Sequence, residues 1–196
     1  MVRAISLFSG IEALSVAARG LDWQVVAFAE IEPFPCALLD YYYKCGKPLR
    51  LPDPAEARTA KKAKQIRSLH RSIARIEWIG GGEATNFGDA AQLSGTELPE
   101  ADWIVAGPPC PDYSVAGKRA GIHGEHGNMT LELLRIYNEY HACRPHTSTH
   151  LLFENVPGLL SDRGNAFGRI LAELAGEDTA LEPAGPRWTH AGFVSG

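Results

Sequence analysis

Cys110 stands in Gly107-Pro108-Pro109-Cys110-Pro111, directly after a short apolar run at residues 102–106. Two prolines stiffen the approach to the thiol and a third stiffens the exit, because each ring fixes its own φ. A lone cysteine is ordinarily a small buried hydrophobe. A thiol held in a rigid loop at the carboxyl end of a parallel strand is a different case, since ligands bind there and a fixed thiol suits nucleophilic catalysis. Glu154, in Phe153-Glu154-Asn155-Val156-Pro157, follows another apolar run and would reach the same edge. A nucleophile and a carboxylate on neighbouring strands make an acid–nucleophile pair geometrically feasible. Ser114-Val115-Ala116-Gly117-Lys118-Arg119 is a stretch of small residues ending in two cations suited to phosphate.

A second group of residues suits a cofactor. In Phe8-Ser9-Gly10-Ile11-Glu12, Gly10 lets a ligand approach the backbone, and the following helix start supplies unpaired N–H groups. The dinucleotide fingerprint needs three glycines, so a plain strand-to-helix turn and a cofactor loop are both open readings. Glu30, about 20 residues further on, can accept from ribose hydroxyls or simply sit solvated at a helix start. Gly88-Asp89 ends a third strand over the same edge. Three strand ends that point such groups at one edge suit a nucleoside cofactor.

Elements that would position these residues are legible from periodicity. Apolar runs predict strands at residues 2–8, 24–29, 84–87, 102–106 and 150–153. Helical patterns fall at 11–18, 33–43, 55–79, 129–141 and 166–174. Pro33 and Pro35 fit only the first turn of a helix, where a missing N–H costs nothing. The alternation predicts βαβ units and a parallel sheet. The tail from Gly176 lacks periodicity and is expected to be irregular.

Composition sets the outer bounds. The 196 residues, 45% hydrophobic and 21% charged, describe a globular chain rather than a disordered or fibrous one. Nineteen Lys and Arg against 23 Asp and Glu give a net charge of −4, so nucleic-acid binding must rest on local residues. No apolar run approaches the roughly 20 residues of a membrane span. The start MVRAISLF lacks signal-peptide features, and four cysteines without framework spacing suit reduced thiols in the cytoplasm.

FSGIEA, AEIEPFPCALL, GDA, GPPCPDYSVAGKRAG and FENVPGLL, in that order, resemble successive motifs of the DNA cytosine-5 methyltransferases. The wording of FSGIEA and SVAGKRAG most resembles phage and bacterial members. The resemblance implies an α/β fold: a Rossmann-like, S-adenosylmethionine-dependent methyltransferase, with a mostly parallel sheet and helices on both faces. It implies that Phe8, Ser9, Gly10 and Ile11 cradle S-adenosyl-L-methionine. Glu30 would take its ribose, Ile31 would face its adenine, and Asp89 would take the adenine amino group beside Ala90 and Pro109. Cys110 would add to C6 of cytosine while Glu154, with Asn155, holds the N3 and amino edge. C5 would then take the methyl group, and loss of the C5 proton would release the enzyme. Partial burial would help Glu154 act as the acid. Pro109, Ser114, Lys118, Arg119 and Val156 would meet the substrate, double-stranded DNA with its cytosine flipped from the stack.

Some positions depart from the family pattern. Glu12 stands where many members carry a second glycine, Pro111 replaces a Gln or Ser, Ile31 replaces an aromatic, and His126-Gly127-Asn128 is a degenerate form of Arg-Gly-Thr or Arg-Gly-Asn. The family's arginine-rich strand, target-recognition region and returning helix do not occur before Gly196. The expected organisation is therefore a cofactor-binding and catalytic domain at 1–175, with a basic helical insertion at about 55–79 and an irregular tail at 176–196. A second polypeptide could supply the target-recognition region, and the isolated chain is expected to be nearly inactive. A non-catalytic subunit of a split methyltransferase and an RNA cytosine methyltransferase are the alternatives. The basic helix reads first as a solvated amphipathic helix and second as a phosphate contact. Tyr41-Tyr42-Tyr43 reads as an aromatic helix end packed on the sheet. His141, Cys143, His146 and His150 match no common zinc spacing, so no metal site is expected.

Overall fold

The computed structural model describes residues 1–18, 20–109, 127–162, 164–185 and 188. Cys110, Ser114, Lys118 and Arg119 lie outside the described residues. Five strands, β1 (Val2–Leu7), β2 (Trp23–Ala29), β3 (Thr85–Asn86), β4 (Trp103–Ala106) and β5 (His150–Phe153), form one sheet in the order β3-β2-β1-β4-β5. Every pairing is parallel. Among the described residues five α-helices accompany them: α1 (Ala13–Ala17), α2 (Pro33–Tyr43), α3 (Ala60–Ile73), α4 (Gly127–Ala142) and α5 (Ala166–Ala175). Among the described residues no helix is long and apolar enough to cross a membrane.

The chain divides into two compact units. The first comprises Met1–Pro108 and Arg135–Glu154 and holds the whole sheet; the second comprises Pro109–Leu134 and Asn155–Gly196. Consecutive residues Ala4, Ile5, Ser6 and Leu7 of β1 are all buried. Successive strand side chains point to opposite faces, so both faces of this central strand are covered, as parallel sheets require.

Pairing of β1 with β2 slips by one residue between Ala4 and Ile5, because Ala4 faces Val25 and Ile5 faces Ala27. Val26 is the extra residue. The bulge lets Val25 and Phe28, three apart, join one apolar cluster with Leu39 of α2 and Ala84. Tyr43 packs against Phe28 with ring centroids 4.9 Å apart. Tyr41 and Tyr42 are exposed, so one tyrosine of the three packs on the sheet and not the whole run.

The helix predicted at 55–79 is shorter. A 3-10 turn, Pro54–Glu56, comes first, and Thr59 then caps α3 by accepting from the Lys62 N–H at 3.1 Å. After Ile73 the backbone is drawn elsewhere: the buried Asp40 carboxylate accepts from the N–H groups of Ile79 (2.5 Å), Gly80 (3.0 Å) and Gly46 (2.8 Å). Burial alone would raise the Asp40 pKa, but these three donors, helped by Lys44, outweigh it and hold the carboxyl below its ordinary value. Its stabilisation is therefore present above the unfolded-state value of about 3.9 and lost as pH falls through the lower folded-state value. Asp40→Asn should lower stability at pH 7 by roughly 2–4 kcal/mol, the worth of its charged hydrogen bonds. It should also flatten the fall of Tm between neutral and acid pH, and melts followed by circular dichroism at stepped pH check both.

In the second unit the described tail residues 176–185 form no helix or strand, and part of this irregular segment is tied down. The Leu181 N–H donates to the Gly168 carbonyl at 3.0 Å, and the Asn165 side-chain amide donates to the Leu181 carbonyl at 2.9 Å. Residues 186–187 and 189–196 lie outside the described set.

Candidate cofactor and catalytic site

From β1 the chain moves outward to β2 and β3, then returns to β4 and β5 on the other side of β1. That reversal opens a crevice outside the carboxyl ends of β1 and β4, the customary ligand position in open parallel sheets. The loop after β1 and the segment Gly107-Pro108 after β4 both begin there.

The first loop has an unusual backbone. Phe8, Gly10 and Glu12 have φ of 55°, 53° and 60°, so left-handed residues alternate along it. Only glycine takes that conformation freely, and bulky residues held in it cluster at functional sites. The buried Glu12 side chain is anchored by hydrogen bonds. Its carboxylate accepts from the Ser6 hydroxyl at 2.6 Å and the Ser15 hydroxyl at 3.0 Å. Burial raises its pKa, against these two bonds that lower it. Among the described residues nothing stands within 4 Å of where a Cβ on Gly10 would be, so they leave room above the loop's backbone.

Glu30, immediately after β2, is buried and ties two loops together. One carboxylate oxygen accepts from the Gly10 N–H at 2.7 Å. The other accepts from the N–H groups of Ile31 and Glu32, both at 2.7 Å. Asn86, which sequence reasoning passed over, joins this edge to β3. Its side-chain oxygen accepts from the N–H groups of Glu30 (3.1 Å) and Gly88 (3.0 Å), and its amide donates to the Glu30 carbonyl at 3.1 Å. An amide between Ala84 and Phe87 in a short run predicted to be a strand was the available signal. Gly88 has φ 84°, and a Cβ there would strike the Arg50 carbonyl oxygen of a strap laid along β3. Asp89 follows, partly exposed, with one carboxylate oxygen accepting from the Ala91 N–H at 3.1 Å; Ala90 is buried. The structure thus brings Phe8, Ser9, Gly10, Ile11, Glu30 and Ile31 together and fastens the Asp89 end of β3 to the same edge.

Glu154 continues the pairing of β5, its N–H donating to the Ala106 carbonyl at 2.9 Å. A Cβ on Gly107 would lie 3.2 Å from a Glu154 carboxylate oxygen, so the glycine lets the acid cross the start of the Pro-Pro-Cys segment. Glu154 is exposed at the end of the edge strand β5, without the partial burial that would help it act as an acid. In the second unit, Pro109 is exposed, and Asn155 accepts from the Val156 N–H at 2.8 Å. The Asn155 side-chain nitrogen is buried without a hydrogen-bond partner among the described residues.

Other cysteines and histidines have structural work. The Cys36 thiol is buried against the Glu30 carbonyl at 3.2 Å, and its pKa is pushed up to about 12 by burial and by the Glu30 charge. It is inert by that measure. Cys143 donates to the Tyr140 carbonyl, His141 stacks on Tyr137, and His150 stacks on Trp103.

Residues 77–178 match the family model of the C-5 cytosine-specific DNA methylases. The chain is 35% identical over 185 residues to a protein of Escherichia phage P1 named as a DNA N-6-adenine-methyltransferase, covering 91% of this chain and 20% of that one. It is 30% identical over 179 residues to the orphan methyltransferase M.Rho11sI of Bacillus phage rho11s, covering 90% of this chain and 27% of the relative. A crystal structure described as a DNA modification methyltransferase of an E. coli prophage superposes with a TM-score of 0.52 at 16% identity, covering 90% of this chain and 38% of that one. The last likeness concerns the fold. The chain spans between a fifth and a third of these two phage relatives.

Proposed function

Because the chain belongs to the C-5 cytosine-specific DNA methylase family, we propose that it carries the methyl-transfer machinery of an enzyme acting on carbon 5 of cytosine in DNA. The observation that supports this best is the Glu154 carboxylate lying across Gly107, three residues before Cys110. C5 of cytosine is a weak nucleophile, so the ring needs a thiol adding at C6 and an acid at the N3 edge. In this reading Cys110 is the thiol, and Glu154 is the acid that favours protonation at N3. The Asn155 side-chain nitrogen, without a partner among the described residues, is proposed as a donor to the flipped base. After transfer, the C5 proton leaves and the Cys110–C6 bond breaks, restoring the ring and the thiol. Ser114, Lys118, Arg119 and Val156 are proposed substrate contacts on the resemblance alone.

The cofactor edge fits S-adenosylmethionine, which supplies the methyl group. A carboxylate has about four lone-pair positions. Three at Glu30 are filled by N–H groups, which leaves one for a ribose hydroxyl. Asp89 is partly exposed and can accept from an adenine amino group. Calorimetry should therefore register binding of S-adenosylmethionine or its demethylated product. Asp89→Ala should weaken it about tenfold, the worth of one charged hydrogen bond. Unchanged binding would remove Asp89 from the site.

The likeness to the phage P1 protein favours adenine N6 as a second target. An amine nitrogen needs no covalent activation of its ring, whereas Cys110 has a role only on cytosine. Labelled S-adenosylmethionine is incubated with duplex DNA, the protein and a target-recognition region of the family supplied in trans, and the digested nucleosides are resolved by mass. 5-Methylcytosine is the expected product; N6-methyladenine would overturn the reading.

A further inference from the structure

Helix α3 has a second face that neither the core nor the proposed chemistry uses. Ile66 and Ile73 are buried, while Lys61, Lys64, Arg67, Arg71 and Arg75 are all exposed. At 100° per residue the four within the helix, Lys61, Lys64, Arg67 and Arg71, fall within an arc of about 120° opposite the buried isoleucines, and Arg75 follows in the turn after Ile73. No ion pair among the described residues involves any of them. From Thr59 to Ile76 the sequence contains no acid at all. Six of the chain's 19 cations lie within 61–75, and the remaining 13 face 23 acids, a balance of −10. Cations gathered this way in an acidic protein form a local positive field that net charge conceals.

Location gives the stripe a direction. The flank of α3 that carries Lys62, Gln65, Ile66 and Leu69 lines a cavity of about 490 Å³ with Ile31, Glu32 and Pro33. Those residues follow directly on Glu30, so the helix borders the carboxyl edge of the sheet where the candidate cofactor site lies. The stripe itself holds Ser68 among its cations and no large apolar residue, which argues against insertion into a bilayer. Long, flexible cations without an aromatic partner suit phosphate contacts rather than the reading of base edges.

We propose that Lys61, Lys64, Arg67, Arg71 and Arg75 form a docking surface for the phosphate backbone of duplex DNA, sequence-independent, beside the proposed methyl-transfer site. The choice of DNA rests on the function proposed above. Each neutralised phosphate releases counterions, so binding through the stripe weakens with salt at about 0.9 in log–log slope per contact.

The test is fluorescence anisotropy of a labelled duplex with the 196-residue chain, titrated at several salt concentrations. Lys64→Gln/Arg67→Gln/Arg71→Gln should weaken binding at low salt about tenfold or more and flatten the slope by roughly 2–3. Arg67→Lys/Arg71→Lys, which keeps the charge, should retain the parent slope. Binding of the demethylated cofactor, which the stripe does not touch, should be the same in all variants and reports that they are folded. Loss of that binding in the triple variant moves the test to Lys61→Gln/Arg75→Gln, expected to flatten the slope by about 2. Parent binding with unchanged affinity and slope in the charge-removed variants would overturn the stripe and leave the DNA reading intact. No duplex binding by the parent chain at low salt would also overturn it. Tighter binding to duplex RNA of equal length, weakened by the same substitutions, would overturn the choice of DNA. Docking that depends on the stripe but is followed by no methylated base, even with a target-recognition region of the family supplied in trans, would instead count against the proposed function.

Discussion

With a target-recognition region of the family supplied in trans, duplex DNA in which every cytosine is 5-fluorocytosine should become covalently attached to the protein in the presence of S-adenosylmethionine, and Cys110→Ser should abolish the attachment. If the thiol adds to C6 and C5 accepts a methyl group, release then requires loss of the substituent at C5 as a proton. Fluorine cannot leave that way, so the Cys110–C6 bond persists and survives denaturing electrophoresis. Complete substitution of cytosine removes the need to know the target sequence. Cys110→Ser should also cut methyl transfer by at least about 10³-fold, because a hydroxyl is far less ionised and less nucleophilic than a thiol. Cys143→Ser is the control: its thiol is exposed and hydrogen-bonded to the Tyr140 carbonyl, so it is open to reagents but has no assigned role. Glu154→Gln should slow trapping by roughly 10²-fold without abolishing it, the usual worth of a positioned acid. An adduct that persists in Cys110→Ser, or one lost in Cys143→Ser, would assign the nucleophile elsewhere.

What was legible in the sequence is what local rules control. The strand at 150–153 is a short apolar run ended by a turn, and β5 occupies those residues. Helix α2 begins at Pro33 because a proline suits a first helical position, where no N–H is needed. Groups that act across long separations were not legible. Asp40 draws off the backbone of residues 79 and 80, 39 and 40 positions away, and so ends a helical pattern that periodicity alone extends to 79. Asn86 binds Glu30 across 56 positions. The bulge at Val26 leaves no mark in an apolar strand, because either register looks hydrophobic. Whether Glu154 is covered depends on neighbours beyond its own strand: it is exposed at the end of β5, an edge strand, and strand order is not written in any one strand. The motif residues were found, but the hydrogen bonds that hold them were not.

Glu30→Ala should both destabilise the protein and remove cofactor binding, and the two losses can be separated. The carboxylate accepts three backbone N–H groups, from Gly10, Ile31 and Glu32, in a buried position. Removing it leaves those donors unsatisfied, at a cost of about 2–4 kcal/mol after relaxation and entry of water. The Gly10 loop then loses its tie to the end of β2, and a site displaced by about 1 Å can lose most of its function. Binding of the demethylated cofactor should fall more than about 100-fold, from the lost ribose acceptor and the released loop together. Asn86→Ala separates the contributions. Asn86 fastens Glu30 through its backbone and holds the Gly88 N–H, but it offers the cofactor nothing directly. Its loss should lower Tm by a similar amount while weakening the cofactor only about tenfold. If Glu30→Ala lowers Tm yet leaves affinity unchanged, Glu30 is a loop tie and the ribose is held elsewhere. If affinity falls while Tm is untouched, the three N–H groups are satisfied by water and the carboxylate acts on the ligand alone. Both losses together, with the smaller binding effect in Asn86→Ala, would establish that one carboxylate shapes the loop and offers its last lone pair to the cofactor.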